Sequence, residues 1–278
     1  MKYAEICKDI CKAALVAVRM LFSVAAQAQC DRNNTAFKAG ESLTYDLYFN
    51  WKFIWVKAGT ASYKISSSKY QGKEALRTDL LFQSNTRCSS VFPMKDTLIS
   101  YMTPRLTPLY FRKGAFEGKR YTVDEVWYSY AGGKCNLKQK FLDKRGNIHD
   151  TTHSSSECNY DKLSILNVAR SFDASGYKKG HRIHFPMATG KKVEEQILIY
   201  QGKEEFEAND DVTYRCLVFT LLDYEEKDKE KELLRFYITD DANHLPVRID
   251  FFLKFGTAKA FYVSGKGLRN PQTSVIKD

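Results

Sequence analysis

The sequence contains few of the features that usually reveal an enzyme. It has no Gly-x-Ser-x-Gly segment, no Gly-rich phosphate-binding loop and no Cys-x-x-Cys pair. These absences remove the usual signs of a serine hydrolase, a nucleotide-binding protein and a zinc or dithiol site. Only 6 of the 278 residues are proline, whereas 17 are tyrosine and 18 are phenylalanine. This composition favours long aromatic-rich strands over a helical bundle.

After residue 28 the sequence also lacks an apolar run of the roughly 18 residues that a membrane-spanning helix needs. The N-terminus differs, because three lysines precede an apolar run from Ala13 to Ala26 that ends in the small-x-small pattern Ala26-Gln27-Ala28. This pattern predicts a cleaved export signal over residues 1–28. Arg19 interrupts the run, so an amphipathic helix of the folded protein is the alternative. We expect residues 29–278 to form a single domain without a transmembrane span.

Cysteine and charge give partial information about the exported chain. Of seven cysteines, five follow residue 28, so at least one thiol stays unpaired and the sequence assigns no disulfide.

The formal charge is +10, and losing four basic and two acidic residues with the signal leaves +8. Such a charge favours lipid head groups or anionic envelope polymers as partners. Nucleic acid is not expected, because no concentrated basic and aromatic motif is present.

Alternating apolar residues predict antiparallel strands along most of the chain. Leu43, Tyr45, Leu47 and Phe49 alternate with polar neighbours in a predicted opening hairpin over Phe37–Ala61. Gly-Gly at 132–133 predicts a tight hairpin. Six further strands are expected over His181–Phe185, Val193–Gln201, Val212–Leu222, Glu232–Thr239, Leu245–Phe255 and Ala258–Lys266. Their close succession favours one meandering antiparallel sheet over a parallel α/β fold.

A single helix is expected among these strands. Apolar residues recur at helical spacing over Asp161–Phe172, with Asp161 as the N-cap and Gly176 beyond the end. The preceding segment Asp143–Asn159 has little apolar content and is predicted to be a loop. The predicted fold class is therefore mainly β, a large curved antiparallel sheet or half-open β-barrel with one covering helix.

Four segments, in this order, resemble the domain-of-unknown-function 3108 family. They are Phe37-x-x-Gly40-Glu41-x-Leu43-x-Tyr45 with Ala58-Gly59-x-Ala61, Lys95-Asp96-Thr97-Leu98, Tyr160-Asp161-x-Leu163-Ser164 running to Arg170, and Asp240-Asp241-x-x-x-Leu245-Pro246-Val247-Arg248-Ile249. The resemblance implies an exported bacterial protein, commonly of Bacteroidota or proteobacteria, with a mainly antiparallel β structure. It implies a place in the periplasm or cell envelope of a Gram-negative bacterium. It brings no established activity and names no catalytic residue.

An aromatic cluster near the N-terminus is the main candidate for ligand binding. Trp51, Phe53 and Trp55 are predicted on one side of a strand that follows Tyr48, with an apolar residue on the other side. One side would then face the core and the other a ligand, a partner or a membrane. The alternative is a central strand covered on both faces. Trp127, on a second aromatic-rich strand, completes the candidate set.

Catalytic and metal-binding alternatives are weaker. His149, His153 and Cys158 offer zinc-type ligands, but the segment that contains them has the composition of a solvated loop, and no metal site is expected there. Asp124 and Glu125 supply two carboxylates, as a glycosidase needs, yet adjacent strand residues point to opposite faces. We therefore expect non-enzymatic binding of a hydrophobic or amphiphilic ligand, such as a lipid or a lipoprotein segment, without cofactor. The alternatives are a hydrolase acting on envelope glycan or lipid, and an assembly partner without a small ligand.

Overall fold

The computed structural model of the protein describes residues 30–51, 54–90, 93–208, 212–225, 229–253 and 256–276. The export signal predicted for residues 1–28 lies outside these ranges. No helix in the described ranges is long and apolar enough to cross a membrane.

Most of the described chain belongs to one antiparallel sheet. The fifteen strands are β1 Ser42–Trp51, β2 Ile54–Tyr70, β3 Lys73–Ser84, β4 Met94–Met102, β5 Pro108–Glu117, β6 Arg120–Ala131, β7 Lys134–Leu142, β8 Ile148–Ser155, β9 Arg182–Ala188, β10 Val193–Glu207, β11 Thr213–Glu225, β12 Lys229–Thr239, β13 Pro246–Leu253, β14 Gly256–Lys266 and β15 Val275–Ile276. The helices are α1 Thr86–Ser89 and α2 Lys162–Ala169. The mainly β class and the predicted meander are confirmed.

The strand order places the opening hairpin near the middle of the sheet. Along the sheet it runs β8-β7-β6-β5-β4-β3-β2-β1-β14-β13-β12-β11-β10-β9, and β15 pairs separately with β11. Each neighbouring pair is thus sequential in the chain except β1 with β14. That one pairing joins an N-terminal half of eight strands to a C-terminal half of six.

The sheet curls until its two ends approach each other. At the β9–β10 turn, the Thr189 carbonyl accepts a hydrogen bond of 2.6 Å from Gln139 Nε2 on β7. The next residue, Gly190, donates its backbone N–H to Asp124 Oδ1 on β6 at 3.2 Å. A Cβ atom at Gly190 would lie 2.2 Å from the Lys140 carbonyl oxygen, so this approach requires glycine. The sheet is therefore a nearly closed barrel.

Helix α2 occupies the concave side of this barrel. Asp161 caps it as the sequence predicts, since Asp161 Oδ1 accepts the backbone N–H groups of Leu163 and Ser164, each at 2.9 Å. The Ser164 hydroxyl in turn accepts the Asp161 N–H, which completes a capping box. The helix ends at Ala169, earlier than the predicted Phe172. Its buried side chains pack among strands on both sides of the β1–β14 junction, which fixes where the barrel core lies.

The segment before α2 contains a strand that the sequence did not predict. The loop predicted over Asp143–Asn159 is wrong, because Ile148–Ser155 forms the edge strand β8. The prediction failed because this strand lies at the end of the sheet with nearly all its residues exposed, so its sequence carries no apolar alternation.

The structure also shows how the described cysteines pair. Cys158, just beyond β8, forms a disulfide with Cys30, and Cys88, Cys135 and Cys216 are free. Cys216 is fully buried, as its strand pattern indicates.

Candidate functional site

The structure divides the predicted ligand-binding residues between two ends of strand β2. Tyr48 and Trp55 lie at the end where β1 turns into β2, whereas Trp127 lies beside the other end, at the β2–β3 turn. At roughly 3.3 Å per residue, the fifteen residues from Trp55 to Tyr70 span about 50 Å if fully extended. Phe53 lies outside the described residues, and so does the side chain of Trp51. The five residues therefore do not form one site.

The predicted single strand through Trp51, Phe53 and Trp55 is wrong. Strand β1 ends at Trp51 and β2 begins at Ile54, so the chain reverses inside the aromatic cluster. In the hairpin register Trp51 pairs with Ile54, and Trp55 pairs with Asn50. Because paired residues share a face and neighbours alternate, Trp55 lies on the face of Asn50 and Tyr48, opposite to that of Ile54.

This hairpin end is exposed. Ile54 is 68% exposed and Trp55 is 41% exposed, which excludes the alternative of a central strand covered on both faces. The β13–β14 turn lies three strands away in the same sheet, and Leu253 at that turn is 51% exposed. Large apolar side chains therefore project from two turns at the same end of the barrel. The strand register places Ile54 and Leu253 on one face of the sheet and Tyr48, Trp55 and Lys259 on the other, so this end carries apolar groups on both faces. We call Tyr48, Ile54, Trp55, Leu253 and Lys259 the hairpin-end surface.

A cation lies within the hairpin-end surface. Lys259 on β14 is the cross-strand partner of Tyr48, and its Nζ atom lies 4.4 Å from the centroid of the Trp55 ring. Partial burial, with the nearby Arg248 guanidinium, lowers the pKa of Lys259. Tyr48 also makes an edge contact with Phe261, at 5.6 Å between ring centroids. The arrangement combines apolar and aromatic side chains with positive charge.

Trp127 belongs to a second surface, which we call the tyrosine recess and which consists of Tyr70, Tyr101, Tyr110 and Trp127. The Trp127 ring lies 5.6 Å from that of Tyr110. Tyr70 lies 6.1 Å from Tyr110, with nearly parallel planes, and 5.4 Å from Tyr101. These rings line an open recess of about 240 Å³. The sequence indicated Trp127 but not its neighbours, because three of the rings come from other strands.

Comparison with known proteins places this architecture in a family. The family model "Protein of unknown function (DUF3108)" matches residues 44–263, which is most of the chain. The chain belongs to the DUF3108 family. Among solved structures it is similar to a β-barrel-like protein of domain of unknown function DUF1849 from Brucella abortus, with a TM-score of 0.54 and 8% sequence identity. The alignment covers 83% of this chain and 98% of that one, which shows a shared fold. No curated protein matches the sequence.

Three of the four segments that carry the DUF3108 resemblance meet in the barrel interior. Glu41 receives two hydrogen bonds from the Arg170 guanidinium, at 2.5 and 3.1 Å, and both residues are 1% exposed. The same guanidinium donates to the carbonyl oxygen of Asn243 at 3.1 Å. This buried ion pair fixes the C-terminal end of α2 to the start of β1 and to the β12–β13 turn. The sequence pattern named Glu41 and Arg170 without showing that they touch, and it did not name Asn243.

The polar groups around this DUF3108 ion pair are hydrogen-bonded to each other. Asn167 on α2 accepts a hydrogen bond from the Tyr63 hydroxyl and donates to Thr78 Oγ1 at 2.9 Å. Burial raises the pKa values of Tyr45 and Tyr63, so both stay neutral donors at physiological pH. Because these groups are buried and paired with one another, they hold the helix in the barrel and are not presented to a ligand.

The catalytic and zinc alternatives find no support in the described DUF3108 structure. Asp124 and Glu125 lie on opposite faces of β6, since Asp124 accepts the Gly190 N–H while Glu125 accepts the Tyr110 hydroxyl at 2.6 Å. His149 contacts Asp143, and Cys158 is not a free thiolate because it is in the disulfide. Within the described ranges, no three His, Cys, Asp or Glu side chains are grouped as metal ligands.

Proposed function

We propose that this protein is an exported, non-enzymatic binding protein that engages an amphiphilic ligand, a lipid, at the hairpin-end surface. The observation that carries the proposal is the exposure of Ile54, Trp55 and Leu253 at two turns of one barrel end. A soluble protein rarely leaves neighbouring large apolar side chains in water unless they meet an apolar partner. The three side chains come from two separate turns of the chain, which distinguishes this end from a single exposed residue.

The polar composition of the surface favours a lipid over a purely apolar ligand. Trp and Tyr side chains are enriched where hydrocarbon meets lipid head groups, because one part of the ring system is apolar and another is polar. Trp55 and Tyr48 supply both types here, and Lys259 beside them supplies a positive charge for an anionic head group. The formal charge of +10 for the whole chain acts in the same direction.

The barrel interior argues for contact at this end and not for an enclosed acyl chain. Side chains of α2 and of the surrounding strands pack together in the concave side, with Phe37, Leu43, Met102 and Leu245 all nearly inaccessible to solvent. A ligand chain in this region would have to displace packed residues. The exposed turns require no such rearrangement.

Export is part of the proposal because of the N-terminal sequence and the disulfide. Residues 1–28 have the pattern of a cleaved signal, and Cys30 directly after it is paired with Cys158. Structural disulfides persist in oxidising compartments such as the bacterial periplasm and are rare in the cytosol. The lipid would then belong to the cell envelope.

Vesicle binding tests the proposal. The test compares co-sedimentation of the protein, residues 29–278, with vesicles of phosphatidylcholine alone and with vesicles containing phosphatidylglycerol. We expect binding that increases with phosphatidylglycerol and decreases with salt. Burying about 100 Å² of Trp55 would contribute roughly 2 kcal/mol, so Trp55→Ser should weaken binding about thirtyfold.

A matched control separates this surface from general hydrophobicity. Ile148 on β8 is 56% exposed and lies outside the hairpin-end surface, so Ile148→Ser should leave vesicle binding unchanged. Leu253→Ser should weaken binding in the same direction as Trp55→Ser. Equal binding by all three variants, or no binding to either vesicle, would reject the lipid proposal and favour a protein partner at this end.

A further inference from the structure

The tyrosine recess presents a row of aromatic rings on the outer face of the barrel. Tyr101, Tyr110 and Trp127 are direct cross-strand partners on β4, β5 and β6, so their side chains form a row on one face. Their chain neighbours Phe111 and Val126 are buried on the opposite face, which packs towards α2. The aromatic row therefore lies outside the hydrophobic core, and its rings are only partly buried.

The rim of the recess carries polar groups of every hydrogen-bonding type. Lys69 and Gln71, at the β2–β3 turn, line the recess and are exposed. The Tyr110 hydroxyl donates to Glu125 Oε1 at 2.6 Å, which places a carboxylate beside the ring row. An ammonium group, an amide and a carboxylate together provide donors and acceptors. This rim suits a ligand whose own groups both donate and accept, as hydroxyl groups do.

Basic side chains at both ends of the row disfavour a positively charged ligand. Arg77, which is ion-paired with Asp79, lies over the Tyr101 ring, 5.7 Å from its centroid, and Lys138 lies 5.8 Å from that of Trp127. A quaternary ammonium group would compete with these two side chains for the aromatic rings, and Lys69 at the rim would repel it. A neutral ligand avoids this repulsion.

We propose that the tyrosine recess binds carbohydrate, with the C–H face of one pyranose ring stacked on Trp127 and the edge of the sugar against Tyr110, whose ring plane is tilted by 49° from that of Trp127. The C–H face of a sugar ring is apolar and slightly positive, so it complements the negative face of an aromatic ring. The sugar hydroxyls then lie at the ring edge, where Lys69 and Gln71 can reach them. A proline-rich peptide also binds aromatic grooves, but it is an extended ligand of several residues, and a recess of about 240 Å³ suits a single ring better.

The site is independent of the hairpin-end surface, and a tryptophan experiment tests it separately. The chain has 3 tryptophans, so the Trp51→Phe/Trp55→Phe variant leaves Trp127 as its single tryptophan. Its emission would be titrated with cellohexaose, chitohexaose and maltohexaose. We expect at least one of them to shift the emission in a saturable manner, because stacking requires only the face of a pyranose ring.

Three further substitutions complete the test, two at Tyr110 on β5 and one at Tyr121 on β6. In the same background, Tyr110→Ala should weaken binding at least tenfold, whereas Tyr110→Phe, which keeps the ring, should retain most of the affinity. Tyr121, which lies on β6 with Trp127, is 45% exposed but does not line the recess, so Tyr121→Ala should bind normally. The proposal is overturned if no oligosaccharide shifts the emission, if folded Tyr110→Ala binds as well as its parent, or if only decaproline binds.

Discussion

Asp161→Asn should remove one contribution to the pH dependence of the free energy of unfolding. Asp161 is fully buried at the N-terminus of α2. Burial raises the pKa of its carboxyl group from 3.8 to about 6, although hydrogen bonds from Ser164 and Leu163 act in the opposite direction. Asparagine is an equally good N-cap and can accept the same two backbone N–H groups. The substitution therefore removes the titrating charge while keeping the helix start.

The magnitude follows from the difference in pKa between the folded and unfolded states. The folded pKa is the higher one, so the native state binds the proton more tightly than the unfolded state. The stabilisation from this group is fully present below about pH 3.8 and is lost as the pH rises through about 6. A difference of about two pKa units corresponds to roughly 3 kcal/mol. Because the carboxyl group is already partly ionised in the unfolded state at pH 4, the free energy of unfolding of Asp161→Asn, relative to the parent, should increase by about 2 kcal/mol between pH 4 and pH 7.

Urea unfolding of the two proteins at several pH values measures this difference, because other titrating groups largely cancel. Asp143 supplies a control of opposite sign. The Asn147 side chain, with backbone N–H groups of Asn147 and Arg145, lowers the pKa of this exposed turn carboxyl. Asp143→Asn should therefore lose stability relative to the parent as the pH rises from acid to neutral. A pH-independent difference for Asp161→Asn would refute the assignment of a raised pKa to this buried cap.

Two further substitutions test the interior and the covalent link. Arg170→Met should lower the free energy of unfolding in urea by about 3 to 5 kcal/mol, because it leaves Glu41 charged and buried. Adding Glu41→Leu should recover part of this loss. A loss below about 1 kcal/mol for Arg170→Met would contradict a tight buried ion pair. Cys30→Ser/Cys158→Ser opens a disulfide that joins residues 128 apart. This change should lower the free energy of unfolding by roughly 3 to 5 kcal/mol. Reductant should reproduce that loss in the parent and have no effect on the variant, and an unchanged parent would contradict the prediction.

The strands and the helix could be predicted from the sequence because their signals are local. Alternation in β1 and the Gly132-Gly133 turn depend only on neighbouring residues, and so does the cap at Asp161. The C-terminal meander followed from the close spacing of its strands. Strand β8 was missed for the same reason, because an exposed edge strand buries neither face and leaves no periodic pattern.

The candidate surfaces were only partly predictable because they depend on register and on distant strands. A loop one residue longer or shorter would have moved Trp55 to the other face of the sheet, and no residue in Trp51–Trp55 marks how long the turn is. The tyrosine recess gathers Tyr70, Tyr101 and Tyr110 around Trp127 from four strands. Each of these residues alone is an ordinary strand tyrosine, and only strand pairing brings them together.

The division between interior and surface explains why the family resemblance identifies the fold without indicating an activity. Glu41, Asp161, Arg170 and Asp241, which belong to the segments that carry the resemblance, are all buried and hydrogen-bonded within the barrel. A sequence pattern made of such residues specifies how α2 is held in the sheet, because Glu41 pairs with Arg170 and Asp161 caps the helix.

The surfaces proposed to bind ligands use different residues. Trp55 and Trp127 lie outside those quoted positions, and each contacts a lysine on the outer side of the sheet. The interior can therefore stay the same while these two ends change, since neither aromatic group packs against α2 or the Glu41–Arg170 pair. Ligand preference in proteins of this fold should then follow the residues at the ends of β2, and exchanging Trp55 or Tyr110 should alter binding without altering the barrel.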